Sequence, residues 1–417
     1  MILLFYFLIL FIIYYKFKSV ATILIVLQVI SLSLMFLVDK DYPIDTLFKL
    51  FNFFFIALIL TIVIAPWKNF SKIEEIYSPD EHKVAKLTRV LLIICLFMFI
   101  TLLIVSIIVT IRYSDRINYL RSEFEFEDFL YHQLPFNVKF YLLSYYLYPL
   151  SYFLIPLHFY YLGKQKSRLA ILCFIMSLNI ILFGLTYFSR SPIIHYLFIY
   201  STFFFLFKDT LSKKIKRNMG IVLFILIALL SYRFIFISES RFEKDISYQN
   251  LIPVYSKIQD PVLYNYVDYA SQWYNNSMIV LDNYNTETLN GQYTFGTVLG
   301  ILGQYGLVDY NFDRYLNLRQ KLMGDKWDKF NGLVAAWIFD FGYLLTFLLA
   351  LCYNYIIRKL KPHNKRLSLN NLFVLVLLIQ IPLSAIFYSV LGGIVIAFLL
   401  WIPINLYLRV NMSMRKK

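Results

Sequence analysis

Six charged residues and one histidine stand where water is scarce. Arg190 occupies the short Ser189-Arg190-Ser191-Pro192 turn between two apolar runs, and Arg233 lies within an apolar run with Arg241 just after it. Arg314 and Arg319 follow late in a long polar-aromatic stretch. Asp340 sits inside a further apolar run, and His195 lies near the end of another. Charge in such places is costly and by default points to function. Arginine dominates the set. A guanidinium stays charged when partly desolvated and grips phosphate oxygens through two parallel hydrogen bonds, so these residues suit a phosphorylated ligand. Structural roles compete with that one. Arg190 can reach lipid phosphates, Arg233 can pair with Asp340, Arg314 and Arg319 share the spacing of one solvated helix surface, and His195 can be a hydrogen-bonded packing histidine.

Apolar helices must position these residues. The chain has 417 residues, 60% hydrophobic and only 16% charged, against about 45–50% apolar and about 25% charged in soluble domains. The excess is gathered into runs of a length that crosses hydrocarbon, about 20 residues each. The runs are 1–15, 19–38, 47–66, 89–111, 139–162, 168–188, 193–207, 219–238, 333–357, 369–388 and 391–408, with the first and seventh short. Residues 1–15 carry no basic leader or small-residue cleavage site and read as a span. The expectation is an all-α polytopic membrane protein with about eleven transmembrane helices, a single transmembrane domain over 1–417.

Charge orients it. Loops 16–18, 67–89, 163–168, 208–217, 358–366 and the tail 409–417 hold 24 of the 40 basic residues and five of the 25 acidic ones. Positive loops stay cytoplasmic, so the expectation is an N-terminus outside and a C-terminus inside. The net charge of +15 is thereby a topology signal and a contact with anionic membrane lipid; nucleic acid is not an expected partner. Cys95, Cys173 and Cys352 all lie in apolar runs without metal-ligand spacing.

Two outside segments are large. Residues 112–138 carry an acidic run, Glu123, Glu125, Glu127 and Asp128, that reads as a solvated face. Residues 239–332 form one large extracytoplasmic loop too rich in Tyr, Trp and Leu to be disordered. Within it Leu263, Tyr266, Val267, Ala270, Trp273, Tyr274, Ser277 and Leu281 recur at helical spacing, predicting a helix over 262–282 with an aromatic face. From Gly291 to Gly306 an apolar stretch is interrupted by Gly296, Gly300 and Gly303, either a helix packed through its glycines or a re-entrant hairpin. Asn275-Asn276-Ser277 matches a glycosylation sequon. There is no Walker motif, no G-x-S-x-G, no H-E-x-x-H and no D-x-D pair on a nucleotide-binding strand. This argues against ATP-driven transport by this chain alone and against a metal-dependent sugar-nucleotide transferase.

The layout resembles the Wzy-type O-antigen and capsule repeat-unit polymerases. Tyr266-Val267-Asp268-Tyr269 through Gly291-Gln292-Tyr293-Thr294-Phe295 looks like that family's outer loop with its G-x-Y-T-F element. Asn331-Gly332 through Asp340-Phe341-Gly342-Tyr343 resembles its D-F-G-x-x-G segment, although Leu345 stands where the second glycine is usual. The Ser189-Arg190 turn is similar to its serine/glycine-arginine hairpin. The resemblance spans the whole topology and about 80 residues of local pattern. It implies a glycosyltransferase that needs no cofactor or metal and joins oligosaccharide repeats carried on undecaprenyl pyrophosphate, at the outer face, sometimes with a chain-length regulator as partner. Arg190, Arg233, Arg241 and Arg314 would then bind pyrophosphate, Trp273, Tyr274 and Tyr293 the sugars, and Asp268, Asp340 or His195 would take the acceptor proton. Three rivals stand beside this reading: a lipid-linked oligosaccharide flippase, an O-antigen ligase, and a structural or sensory membrane protein.

Overall fold

The computed structural model describes residues 2–38, 44–78, 80–113, 129, 132, 134–242, 252–253, 256–324, 329–387 and 391–409, some of those in 223–242 through their backbone alone. The acidic run at 123–128 and the tail beyond 409 lie outside the described residues. Each of the eleven apolar runs contains a helix. Five helices among the described residues are long and apolar enough to cross a membrane: Leu47–Asn69, Glu81–Tyr113, Val138–Gly163, Ser167–Leu185 and Gly332–Lys359. Shorter apolar helices cover Ile2–Tyr15, Val20–Met35, Leu369–Leu383 and Ile394–Arg409.

The chain forms two compact units interleaved in sequence. The first comprises Met1–Ser71, Leu251–Lys361 and Leu378–Ile396; the second comprises Lys72–Asn250, Pro362–Leu377 and Ala397–Lys417. In the second, helix Glu81–Tyr113 shows what its sequence demands of its surroundings. Leu91, Cys95, Met98, Leu102, Val105 and Val109 are buried, whereas Ile93, Leu96, Ile100, Ile107 and Ile111 face outward at the same helical spacing. A continuous aliphatic stripe of this length in contact with water would be a strong liability, and lipid is the solvent that suits it. Val138–Gly163 is not a single α-helix. Its middle, Tyr148–Phe153, winds more tightly as a 3-10 segment with Pro149 in its first turn, a residue that lacks the amide an α-helix interior needs.

The basic loops of the second unit meet one another. Glu75–Tyr77 and Arg366–Ser368 pair as parallel strands. Around them lie the ion pairs Glu74–Lys365 (2.8 Å), Glu75–Arg366 (2.7 Å), Glu81–Lys164 (2.7 Å) and Lys72–Asp209 (3.7 Å), and Lys83 donates to the Tyr407 carbonyl at 2.8 Å. The first unit obeys the same sorting. The Val20 amide beside loop 16–18 donates to the Phe70 carbonyl at 2.9 Å. At the other end of that helix Val38 packs with Tyr264 and Val267 of the large loop. Loops that charge assigned to one side of a membrane therefore contact loops assigned to the same side.

Candidate functional site

The large loop is a folded part of the first unit, built from helices Pro261–Ser271, Trp273–Asn283, Gly296–Gln304 and Phe312–Met323. The first two continue one another through Gln272, whose amide still donates to the Asp268 carbonyl at 2.8 Å. They form the helix predicted over 262–282. Asp260 caps it, accepting from the Leu263 amide, and Pro261 at the first helical position loses no bond. The buried Trp273 indole donates to Ser31 Oγ at 2.8 Å, and Ser31 in turn donates to the Ala270 carbonyl. Tyr274 is 3% exposed. Both rings, expected to stack on sugars, have their faces covered by protein, because a long aromatic helix laid on apolar helices gains most by burying its largest side chains. The sequon falls inside the same packing: Asn276 donates to the Phe330 carbonyl at 2.7 Å and Ser277 to the Asn331 carbonyl at 2.5 Å.

The glycine-rich stretch resolves into a short helix, Gly296–Gln304, whose glycines admit one aromatic ring. A Cβ on Gly296 would lie 3.0 Å from Tyr310 Oη, and Cβ atoms on Gly300 and Gly303 would also meet Tyr310. Close packing, rather than a re-entrant hairpin, uses these glycines.

Asp340 organises the centre of the loop. It is 1% exposed, and its two carboxylate oxygens accept from consecutive amides, Tyr293 N at 2.9 Å and Thr294 N at 2.6 Å. The amides converge because Asn290 and Gly291 both take left-handed backbone, φ 52° and 86°, which turns the chain back on itself. The Leu289 amide also donates to the Phe339 carbonyl at 2.8 Å. Two residues on, Gly342 breaks the Gly332–Lys359 helix at φ 65°, ψ −177°, a conformation essentially confined to glycine. A Cβ there would sit 2.8 Å from Tyr284 Oη. Before the break every residue from Leu333 to Asp340 is buried; after it Leu344, Leu345, Leu348 and Leu351 face outward. The break separates a protein-enclosed half-helix from one with a lipid-compatible face. Tyr343, just past it, donates to Asn52 Oδ1 at 2.7 Å, and Asn52 donates to Asp282 Oδ1 at 2.7 Å.

Helix Phe312–Met323 has two faces. Inward, Tyr315 stacks on Tyr293 at 4.9 Å between centroids. Arg319 donates to Tyr315 Oη at 2.7 Å and to the Lys329 carbonyl at 2.6 Å. Burial pushes the Tyr315 phenol above its ordinary value, with Arg319 opposing. Outward, Arg314 donates to the Thr288 carbonyl at 3.2 Å and lines an open polar cavity of about 400 Å³ with Glu287, Asn311, Asn317 and Lys321. Arg319, expected on a solvated surface, is thus a strap, and Arg314 is the exposed one of the pair. Sequence reading missed Asn52, Tyr315 and Asp282 in this assembly. The signal was present for Asn52, a carboxamide alone in the phenylalanine-rich run Leu47–Ile64.

The structure brings Tyr293, Asp340 and the Arg314 helix together in the first unit, with Asp268 buried on the Pro261–Ser271 helix. Arg190 and His195 belong to the second unit. Arg190 precedes helix Ser191–Phe207 in a turn closed by the Ser189 amide on the Gly184 carbonyl at 2.8 Å, and His195 is buried on that helix. Arg233 and Arg241 lie on helix Lys213–Phe242; their side chains, and with them any pairing of Arg233 with Asp340, lie outside the described residues. Among the described residues no group of three His, Cys, Asp or Glu could hold a metal ion. No family model matches the chain, and neither a curated protein nor a solved structure matches it.

Proposed function

We propose that this protein is a membrane glycosyltransferase that polymerises undecaprenyl-pyrophosphate-linked oligosaccharide repeats on the outer face of a bacterial cytoplasmic membrane. One observation carries the reading. The two separate segments on which the family resemblance rests, Gly291–Phe295 and Asp340–Tyr343, are in direct contact, the carboxylate of one holding the backbone of the other. Motifs that resemble a family by chance have no reason to meet. The apolar helices and the sorted loops supply the membrane setting.

In the proposed reaction a hydroxyl of the incoming lipid-linked repeat attacks the anomeric carbon of the growing glycan. The new glycosidic C–O bond forms as the bond from that carbon to the pyrophosphate oxygen breaks. Undecaprenyl pyrophosphate leaves with the electron pair, and the hydroxyl proton passes to a base. Fixed positive charge where the leaving group develops its negative charge is the main catalytic requirement; the arginines the chain offers for that role are Arg190, Arg233 and Arg241 in the second unit and, separately, Arg314 in the first. Asp340, with both oxygens already accepting amides, is a positioning residue; Asp268 and His195 remain as candidates for the base. Tyr293, half-buried and stacked on Tyr315, is the remaining aromatic candidate for a sugar face.

The test uses purified protein with lipid-linked repeats and follows the length ladder of the product. Wild-type protein should lengthen glycan. Arg190→Lys, Arg233→Lys and Arg241→Lys keep charge but lose the planar fork, and each should shorten the ladder, with the strongest falling by roughly 10²–10³ in rate. Normal ladders from all three would make the arginines structural. Wild-type protein that moves repeats across liposomes without joining them would be a flippase.

A further inference from the structure

The second unit contains a half-open groove of about 500 Å³. Its walls are helix Ser167–Ser177, through Ile171, Phe174 and Ile175, and the first turns of helix Lys213–Phe242, through Ile215, Met219 and Val222. His158 and Tyr200 form the floor. The polar atoms of that floor are already used: His158 Nδ1 lies 2.8 Å from the Ala170 carbonyl and Nε2 lies 3.0 Å from Tyr200 Oη. An occupant therefore meets hydrocarbon and ring edges and finds no free hydrogen-bonding group along the floor. The volume falls within the range of ligand pockets, roughly 300–1,000 Å³.

Polarity is graded along the groove. Ser167 and Asn218, its other polar liners, are next in sequence to Arg168 and Arg217, and Ile215 is flanked by Lys214 and Lys216. Lys216 is engaged with Asp209 at 3.6 Å. Arg168, Lys214 and Arg217 form no ion pair among the described residues. The first turns of both wall helices thus carry cations, whereas the groove lining itself is mostly aliphatic and aromatic, a pairing that matches the head and tail of an anionic amphiphile. Basic pockets between transmembrane helices on the positively charged side bind anionic headgroups in this way.

We propose that this groove holds one acyl chain of an anionic glycerophospholipid, with the lipid phosphate among Arg168, Lys214 and Arg217. The site lies on the side of the basic loops, where such lipids face the protein. It depends only on the membrane setting and not on glycosyl transfer.

The experiment compares phosphatidylglycerol with phosphatidylcholine on the delipidated full-length protein, by native mass spectrometry and by thermal unfolding in vesicles of each lipid. Phosphatidylglycerol should be retained about tenfold or more tightly, and Arg168→Gln and Arg217→Gln should each weaken that retention about fivefold. Ile171→Trp, at an outward-facing position, should fill the groove and release the lipid while unfolding in phosphatidylcholine stays unchanged. Val222→Trp fills it from the opposite wall and serves if Ile171→Trp fails to fold. Equal retention of both lipids by wild-type protein overturns the proposal, as does undiminished phosphatidylglycerol binding in a groove-filling variant. Displacement of phosphatidylglycerol by an equal amount of undecaprenyl phosphate would reassign the groove to a polyprenyl chain and overturn the acyl-chain assignment.

Discussion

Segments outside the apolar helices are tied down by different physics in the two units. In the first, the large loop is fastened by buried, directional hydrogen bonds between groups far apart in sequence: Asp340 to the amides of Tyr293 and Thr294, Trp273 to Ser31, Tyr343 to Asn52 and Asn52 to Asp282. In the second, short loops are joined by solvent-facing ion pairs, Glu74–Lys365, Glu75–Arg366 and Glu81–Lys164, beside a strand pair three residues long. A buried acceptor that loses its donor, or the reverse, bears the whole desolvation cost. An exposed pair exchanges partners with water and is screened by salt. The first arrangement fixes one geometry; the second holds short loops together without fixing one.

The largest expected effect follows at Asp340. Asp340→Ala leaves two buried amides without an acceptor, each costing about 1–3 kcal/mol. Thermal unfolding in detergent should shift strongly downward, and protease should cut near 291–295. Asp340→Asn retains one acceptor oxygen but can turn an NH₂ toward a backbone donor, so it should fall between. An anchoring Asp340 loses stability and activity together across the two variants. A Asp340→Asn protein as stable as wild type yet inactive would make it a proton acceptor and break the contrast drawn here.

Next comes Gly342. Its backbone conformation excludes side chains, and a Cβ would collide with Tyr284 Oη at 2.8 Å. Gly342→Ala should cost about 1–3 kcal/mol, read as lower folded yield and a lower unfolding temperature. An unchanged protein would mean that the half-helix before the break is free to rotate. Smaller again is Trp273→Phe, which keeps a buried six-membered ring but gives up the bond to Ser31 and some of the indole's packing. A loss of about 0.5–1.5 kcal/mol is expected, and chemical denaturation in mixed micelles measures it.

The sequence exposed these two regions unequally, for the same physical reason that they differ. The apolar runs and the sorting of basic loops were legible because both are carried by many residues of one kind, so single exceptions do not blur them. The helix over 262–282 was legible from its period. The partners of its residues were not. Nothing local to Asp340 says that its acceptors are filled by Tyr293 and Thr294, since that match depends on left-handed backbone at Asn290 and Gly291. Trp273 and Tyr274 advertise aromatic surface, but aromatic surface reads alike whether it meets sugar or a helix. Arg319 shares a helix with Arg314 and differs only in which side packs, and the carbonyl of Lys329 that receives it becomes visible only in the folded chain.

The smallest effect belongs to the ion pairs, and its sign can be worked out. The hydrogen bond from Lys365 holds the Glu74 carboxyl below its ordinary range, and that from Lys164 does the same for Glu81. A carboxyl whose value is depressed on folding contributes stability that is fully present above the unfolded value of about 4.3. That contribution disappears as pH falls through the folded value, because the proton then binds both states alike. Between neutral pH and about pH 5 these pairs should therefore leave the unfolding temperature unchanged, and below that range it should decline. Glu74→Gln and Glu81→Gln should lower the neutral-pH value slightly and remove an equally small part of the acid-side decline. High salt should shrink the difference between variant and wild type, since both partners face solvent. An effect of either variant at neutral pH as large as that of Asp340→Ala would mean that these loops are held as rigidly as the large one, and the distinction between a fixed loop and a merely sorted one would have to be given up.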